Sequence, residues 1–208
     1  MSLKAAKYRK VAMKAVGEVL LITLGILGAL AIDGWQERKK QDKLLKDTLN
    51  ITMVELNNNY CALLKSHQHQ DANRNKLKGL PDAKTEQQQT ALYLSIYEKG
   101  VIQPAQLTST AWDTAVATGA VRNIPLKDAT LIAQFYHDAK GYNDRVNVIV
   151  TEMIKNDYKD IEMVNTLAGI YGSIDSIWWY EKRQINRYET QFDSLAKQYN
   201  FSSKACVN

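Results

Sequence analysis

The fold of this chain is decided by the stretch AVGEVLLITLGILGALAIDGW at Ala15–Trp35. Its uncharged centre, Val19–Ile32, has 14 residues and would be about 21 Å long as a helix. That is shorter than the roughly 30 Å hydrocarbon core of a bilayer. The full 21 residues can cross it, with Glu18 and Asp33 near the two ends. We therefore predict one transmembrane helix over residues 15–35.

Two alternative interpretations of this stretch stay open. A basic start, an apolar centre and Ala29-Leu30-Ala31 also fit a cleavable signal peptide. A buried core helix of a soluble protein is the second alternative, which the basic flanks and the all-round apolar surface disfavour. We favour an uncleaved anchor, because the helical pattern continues into residues 36–46 with no turn residue beyond Gly34.

Charged and aromatic residues mark the ends of the predicted span. Lys14 and Glu18 are four residues apart and can pair on one helix face. Glu18 and Asp33 are ionisable residues within the predicted span, and such groups suggest a function. For Glu18 a carboxylate near the interface that Lys14 neutralises is the simpler interpretation. Trp35 and Tyr8 are predicted interface anchors, because aromatic side chains favour the headgroup region.

Small residues recur along the same helix. Gly25 and Ala29 form a small-xxx-small pair, and Gly17 and Gly28 add to it. Small side chains let two helix backbones approach closely in lipid. These four residues are therefore candidates for helix association, and the alternative is that small residues are simply common in membrane helices.

The charge of the protein is concentrated beside the apolar segment. The 208 residues include 27 Lys or Arg and 22 Asp or Glu, a net charge of +5. Residues 1–36 carry +3, residues 37–47 carry +2 and residues 48–208 sum to zero. We therefore expect the lipid bilayer as the partner of the basic residues, and no nucleic acid.

The numbers of basic residues on the two sides of the predicted span are nearly equal, so the positive-inside rule does not determine its orientation. We predict an N-inside signal-anchor in the inner membrane of a bacterial cell. The body would then be periplasmic.

Two stretches resemble a known family. The first reads GEVLL at Gly17–Leu21, GILGAL at Gly25–Leu30 and WQERKK at Trp35–Lys40, and the second is TSTAWDTAVATGAVRN at Thr108–Asn123. They resemble bacterial single-pass membrane proteins that share a domain of unknown function. Gly28 stands where that family has a larger residue. The resemblance implies a membrane anchor and an α-helical body, and it transfers no functional residues.

The remainder of the chain predicts an all-α, bundle-like body, since no segment sustains the period-2 alternation of a strand. The fold class we predict is a transmembrane helix that continues into a long helix, followed by a helical bundle. The predicted organisation is a basic tail at 1–14, the transmembrane helix at 15–35, a stalk or long helix at 36–66 and an α-helical domain at 67–208.

An apolar seam follows the span, with members at steps of three and four from Leu45 to His67. It fits either an oligomeric coiled coil or one helix packed inside a bundle. For the distal half we favour the bundle, and for residues 36–49 a charged stalk. Residues 66–89 are polar and are the best candidate for a loop.

Few residues suggest chemistry. His67, His69 and Asp71 are too few for a structural zinc site and are interpreted as a solvated loop. Cys61 and Cys206 could form a disulfide if the body is extracytoplasmic, and the alternative, which we slightly favour, is two unconnected thiols. Trp178 and Trp179 cannot both face one core.

We expect no cofactor, no metal and no enzymatic activity. The predicted function is a membrane-anchored helical binding or scaffold protein that forms homo-oligomers and has an unknown protein partner. Two alternatives are an oligomeric pore-like effector and an extracytoplasmic sensory domain that signals through a partner.

Overall fold

A computed structural model describes residues 3–155, 162–202 and Cys206 of the protein, with side chains from Gly17 onward. Most of these residues are helical and no strand occurs among them, which confirms the predicted all-α class. The chain divides into two compact units, Met1–Lys46 (unit 1) and Asp47–Asn208 (unit 2).

Six α-helices occur in the described part of the chain. They are α1 (Leu3–Leu77), α2 (Glu86–Tyr97), α3 (Thr110–Ala117), α4 (Leu126–Lys155), α5 (Met163–Arg187) and α6 (Asp193–Gln198). Single 3₁₀ turns lie at Leu80–Asp82 and Ala120–Asn123, and a π-helical turn at Tyr188–Phe192 joins α5 to α6.

Helix α1 is longer at both ends than the sequence predicts. It begins at Leu3, so the predicted basic tail is helical from that residue on. It also continues to Leu77 through half of the predicted loop at 66–89. Unit 2 begins at Asp47, so the boundary predicted between residues 66 and 67 falls inside the packed part of α1. The side chain of Tyr8, a predicted interface anchor, lies outside the described residues.

Two stripes of α1 account for this extension. The first repeats every seven residues and is apolar except at one position, and the second runs beside it with the same spacing and is polar. The first consists of Leu49, Leu56, Leu63, Gln70 and Leu77, and the second of Thr52, Asn59, Ser66 and Asn73. All nine side chains are buried within unit 2. The distal half of the predicted seam therefore packs inside the bundle, as favoured, because its own domain covers it.

Local signals set the ends of the shorter helices. Thr85 and Gln88 form a capping box at the start of α2. Gly100 and Gly119 follow α2 and α3 with φ of +82° and +74°, a left-handed conformation that glycine adopts without a steric penalty. Residues 100–109 between α2 and α3 have no helical structure and are called the strap below.

The core of unit 2 has two main parts. One is an aliphatic cluster from α1, α2 and α5, which includes Leu77, Ile96 and Leu167. The other is aromatic, where the Phe135 ring of α4 lies 4.6 Å from that of Tyr188.

Candidate functional site

The apolar stretch of α1 is open on all sides. Every residue from Gly17 to Asp33 is exposed, and Leu21 and Leu24 are 74% and 67% exposed. Among the described residues, one helix is long and apolar enough to cross a membrane, and none of its apolar window is buried. The only hydroxyl in this stretch is satisfied internally, since Thr23 Oγ1 donates to the Val19 carbonyl at 2.8 Å.

The helical geometry places Glu18 on the same face as two of the small residues. At about 100° per residue, Glu18 lies about 20° from both Gly25 and Ala29 around the helix axis. On the side of Gly25 away from Glu18, Gly28 lies about 60° and Gly17 about 80° from Gly25 around the helix axis. No neighbouring atom would come within 4 Å of a Cβ added at any of these three glycines.

At the other end of the apolar stretch, Asp33 and Trp35 are also exposed. Lys39 places its Nζ 4.0 Å from the centroid of the Trp35 ring, so an aromatic side chain and a cation combine there. Both groups belong to unit 1 and are of the types that favour the headgroup region of a bilayer.

The two cysteines of the chain meet in unit 2. Cys61 of α1 and Cys206 near the C-terminus form a disulfide with their Cα atoms 5.3 Å apart. The bond closes a loop with a sequence separation of 145 residues. It therefore ties Cys206, which follows α6 in the chain, to the first helix of the same unit.

The strap is held against α1 by the polar stripe. Asn59 Nδ2 donates to the Thr108 carbonyl at 2.8 Å, and the Thr108 amide donates to Asn59 Oδ1 at 2.9 Å. Ser66 Oγ lies 2.8 Å from the Gln103 carbonyl. Asn73 Nδ2 donates to the carbonyls of Gly100 and Val101 at 3.0 and 3.1 Å. These side chains replace the backbone partners that an extended segment would otherwise find in a sheet.

A buried carboxylate links the strap to the bundle. Glu181 of α5 is fully buried, and its Oε1 accepts hydrogen bonds from the hydroxyls of Ser66 and Tyr142, the latter at 2.7 Å. The Ala105 amide of the strap donates to the Tyr142 hydroxyl at 3.0 Å. His67 Nδ1 lies 3.6 Å from Glu181 Oε2. Burial, together with the negative charge of Glu181, raises the pKa of Tyr142 well above its usual value.

The sequence Glu181-Lys182-Arg183 is typical of a solvated helix face, but the structure buries Glu181 completely. Helical spacing could have predicted the burial of Glu181. It follows Ile174 and Ile177 and precedes Ile185 on the buried face of α5. Ser66 and Glu181 are both buried, so this cluster joins the strap to the bundle away from solvent.

The residues considered for metal binding are each engaged elsewhere. His67 faces Glu181, and His69 Nε2 lies 2.8 Å from the Gly100 carbonyl. Asp71 accepts a hydrogen bond from Trp178 Nε1 at 3.0 Å. Within the described ranges, no group of three or more His, Cys, Asp or Glu side chains could hold a metal ion.

The neighbouring tryptophans of α5 have different environments. Trp178 is only 9% exposed and stacks on the His67 ring at a centroid distance of 5.1 Å. The Arg74 guanidinium lies over the Trp178 ring, with its Cζ 4.3 Å from the ring centroid. Trp179 is 55% exposed, with Lys182 Nζ 5.3 Å from the centroid of its ring. One ring is therefore a core residue and the other lies on the surface of unit 2.

Comparisons with known proteins add no assignment to these features. No protein-family model, no curated protein and no solved structure matches the chain. The resemblance of its N-terminal helix to a family of single-pass membrane proteins stays a prediction.

Proposed function

We propose that the protein is a single-pass membrane protein whose helical domain binds or scaffolds a partner without catalysis, and which self-associates through its membrane helix. The observation that carries this proposal is the complete exposure of the apolar window of α1. Burying a large aliphatic side chain is worth about 1.5–3 kcal/mol, so a helix that exposes this many needs lipid around it.

The same helix supports an uncleaved anchor over a signal peptide. Residues Ala29–Ala31, the predicted cleavage pattern, lie in the interior of a helix that continues without a break to Leu77. Cleavage would cut α1 within its regular part.

The disulfide supports the proposed orientation. Disulfides persist in oxidising compartments and are rare in the cytosol. The Cys61–Cys206 bond therefore favours an extracytoplasmic unit 2. In a bacterial inner membrane, this corresponds to a periplasmic domain with its N-terminus inside.

Self-association rests on one face of the membrane helix. Gly25 and Ala29 allow a close approach of two backbones, and Glu18 on the same face would gain a hydrogen-bonding partner in an oligomer. The seam from Leu49 to Leu63 is buried in its own domain and contributes nothing to an interface between copies.

Reporter fusions at residue 208 test the orientation. We expect alkaline phosphatase to be active and green fluorescent protein to be dark. The reverse pattern would place unit 2 in the cytosol. The intact mass of the purified protein tests cleavage, because a loss of the residues up to Ala31 would rule out the anchor.

Mass photometry of the full chain in detergent tests the association. We expect an oligomer for the wild type and a monomer for Gly25→Ile with Ala29→Ile. Ala31→Ile is the matched control, since Ala31 lies about 200° around the helix from Ala29. A monomeric wild type would contradict the proposal.

The position of Glu18 also favours a second candidate, the pore-like effector. In a bundle that packs through the Gly25 and Ala29 face, the carboxylates of several copies would converge on the bundle interior. Overexpression should then depolarise cells, and Glu18→Gln should reduce the effect. Unchanged membrane potential on overexpression would exclude this candidate.

A further inference from the structure

Unit 2 contains a cleft that plays no part in the function proposed above. It has a volume of about 570 Å³ and lies between the end of the strap, the start of α3 and one face of α4. Trp112 and Tyr136 contribute aromatic surface, while Asp113, His137, Lys140 and Asp144 bring charged or polar groups. We propose that this cleft is a binding site for a neutral saccharide.

The aromatic wall has the form that a sugar ring needs. The Trp112 ring is half-buried and stacks on the Tyr136 ring, with centroids 5.7 Å apart and an interplanar angle of 12°. This contact fixes the orientation of the indole. The electron-rich face of an aromatic ring attracts the weakly positive C–H groups on one face of a pyranose.

The other side chains suit hydroxyl groups better than they suit an ion. Asp113 and Asp144 are acceptors, whereas Lys140 donates and His137 can do either. Each sugar hydroxyl both donates and accepts, so a polyhydroxylated ligand matches this mixture. A simple anion would meet the two carboxylates, and a simple cation would meet Lys140.

The walls of the cleft are held rigidly, which lowers the entropic cost of binding. Leu107 and Thr108 at the end of the strap are bonded from both sides. Asn143 Nδ2 of α4 donates to the Leu107 carbonyl at 2.8 Å, and Asn59 of α1 pairs with Thr108. The Glu55 carboxylate accepts from the Ala111 amide at 3.1 Å and holds the start of α3.

The size of the cleft is also in the range of small-molecule sites, about 300–1,000 Å³. The cleft opens to solvent, so a saccharide that is part of a longer glycan can enter it. The bound ring would then lie against Trp112, with its hydroxyls toward Asp144 and Lys140.

Calorimetric titration of the full chain in nanodiscs tests the site. The probes are chitotetraose, cellotetraose and maltotetraose, with tetramethylammonium chloride and sodium glutamate as ionic comparisons. We expect at least one saccharide to bind with a Kd between about 10 μM and 1 mM. Absence of saturation with all three, or tighter binding of either ion, would overturn the proposal.

Variants locate the binding. Trp112→Ala should weaken it at least tenfold, while Trp179→Ala, which removes an exposed tryptophan outside the cleft, should leave it unchanged. Asp144→Ala tests the polar side with an exposed residue whose loss does not threaten folding, and should weaken binding about fivefold. Equal affinity in Asp144→Ala, Trp179→Ala and the wild type would place the ligand elsewhere and refute the assignment. Because both faces of a nanodisc are open to the solution, the outcome is independent of membrane orientation.

Discussion

The side chain of Asn59 pairs with the backbone of Thr108 through two hydrogen bonds, one in each direction. Asn59 is buried and stands on the polar stripe of α1, seven residues from Ser66. The side-chain amide of Asn59 therefore pairs with the backbone of the strap in the same way that the backbone of a neighbouring β-strand would. This pair fixes the segment that forms one wall of the cleft.

Replacement of Asn59 by leucine should destabilise unit 2. It would remove the two hydrogen bonds to Thr108, each worth about 0.5–1.5 kcal/mol net, because Thr108 is exposed and water can replace the lost partner. We expect the free energy of unfolding to fall by about 1–3 kcal/mol in urea denaturation followed by circular dichroism. Asn58→Leu is the control, since Asn58 is exposed. Equal effects of the two substitutions would show that the pair does not stabilise the strap.

Glu181 should be among the most sensitive residues of the bundle. Glu181→Ala leaves the hydroxyls of Ser66 and Tyr142 and the ring of His67 without the carboxylate they share. Breaking such a buried network costs about 3–5 kcal/mol. Glu181→Gln keeps an acceptor for Tyr142 and should cost less. The control Glu152→Ala removes an exposed carboxylate from α4 and should change stability by less than about 0.5 kcal/mol. A stable Glu181→Ala protein with unchanged urea midpoint would contradict the role given to this cluster.

Gln70 should be replaceable with a gain in stability. It is fully buried in the stripe otherwise formed by leucines, and within the described part of the chain its two amide atoms have no hydrogen-bond partner. Gln70→Leu removes this desolvation cost and should raise the free energy of unfolding by about 1–2 kcal/mol. Gln68→Leu, at an exposed position of the same helix, should have little effect. A marked loss of stability in Gln70→Leu would show that the amide is satisfied.

Reduction of the Cys61–Cys206 bond should lower stability strongly, because the closed loop is long. For a separation of 145 residues, the chain-entropy model gives an upper value of about 5 kcal/mol. We expect dithiothreitol to shift the urea midpoint of the wild type downward and to leave Cys206→Ser unchanged. Detection of two free thiols in the denatured, unreduced protein would contradict the bond.

Stability should decline at alkaline pH. Burial and the hydrogen bond to Asp128 raise the pKa of Tyr199 to about 12, compared with a usual value near 10. The folded state therefore keeps this proton after the unfolded state has lost it. The resulting stabilisation is complete below about pH 10 and is lost as pH rises toward 12. Burial also raises the pKa values of Tyr136, Tyr142 and Tyr188.

Thermal melts between pH 8 and 11.5 measure this effect. The melting temperature of the wild type should fall above about pH 10. In Tyr199→Phe it should start lower at pH 8, because the Asp128 bond is lost, and then fall less steeply. Parallel curves for the two proteins would show that Tyr199 contributes nothing to the alkaline decline.

Local patterns in the sequence were sufficient for the fold class and for the long apolar helix near the N-terminus. The apolar run at 15–35, its basic flanks and the steps of three and four in α1 are properties of neighbouring residues, and helix formation depends on such neighbours. The same patterns left two alternatives for the seam and two for the cysteines, since each alternative satisfies the same local spacing.

Only the tertiary structure decided which residues meet. Asn59 and Thr108 are 49 positions apart, and Ser66 and Glu181 are 115 apart. A polar residue on a helix looks the same in sequence whether it faces water or a buried partner, because its environment is supplied by distant segments. The burial of Glu181, the attachment of the strap and the cleft beside Trp112 all depend on such distant contacts, so they became visible only once the helices were packed.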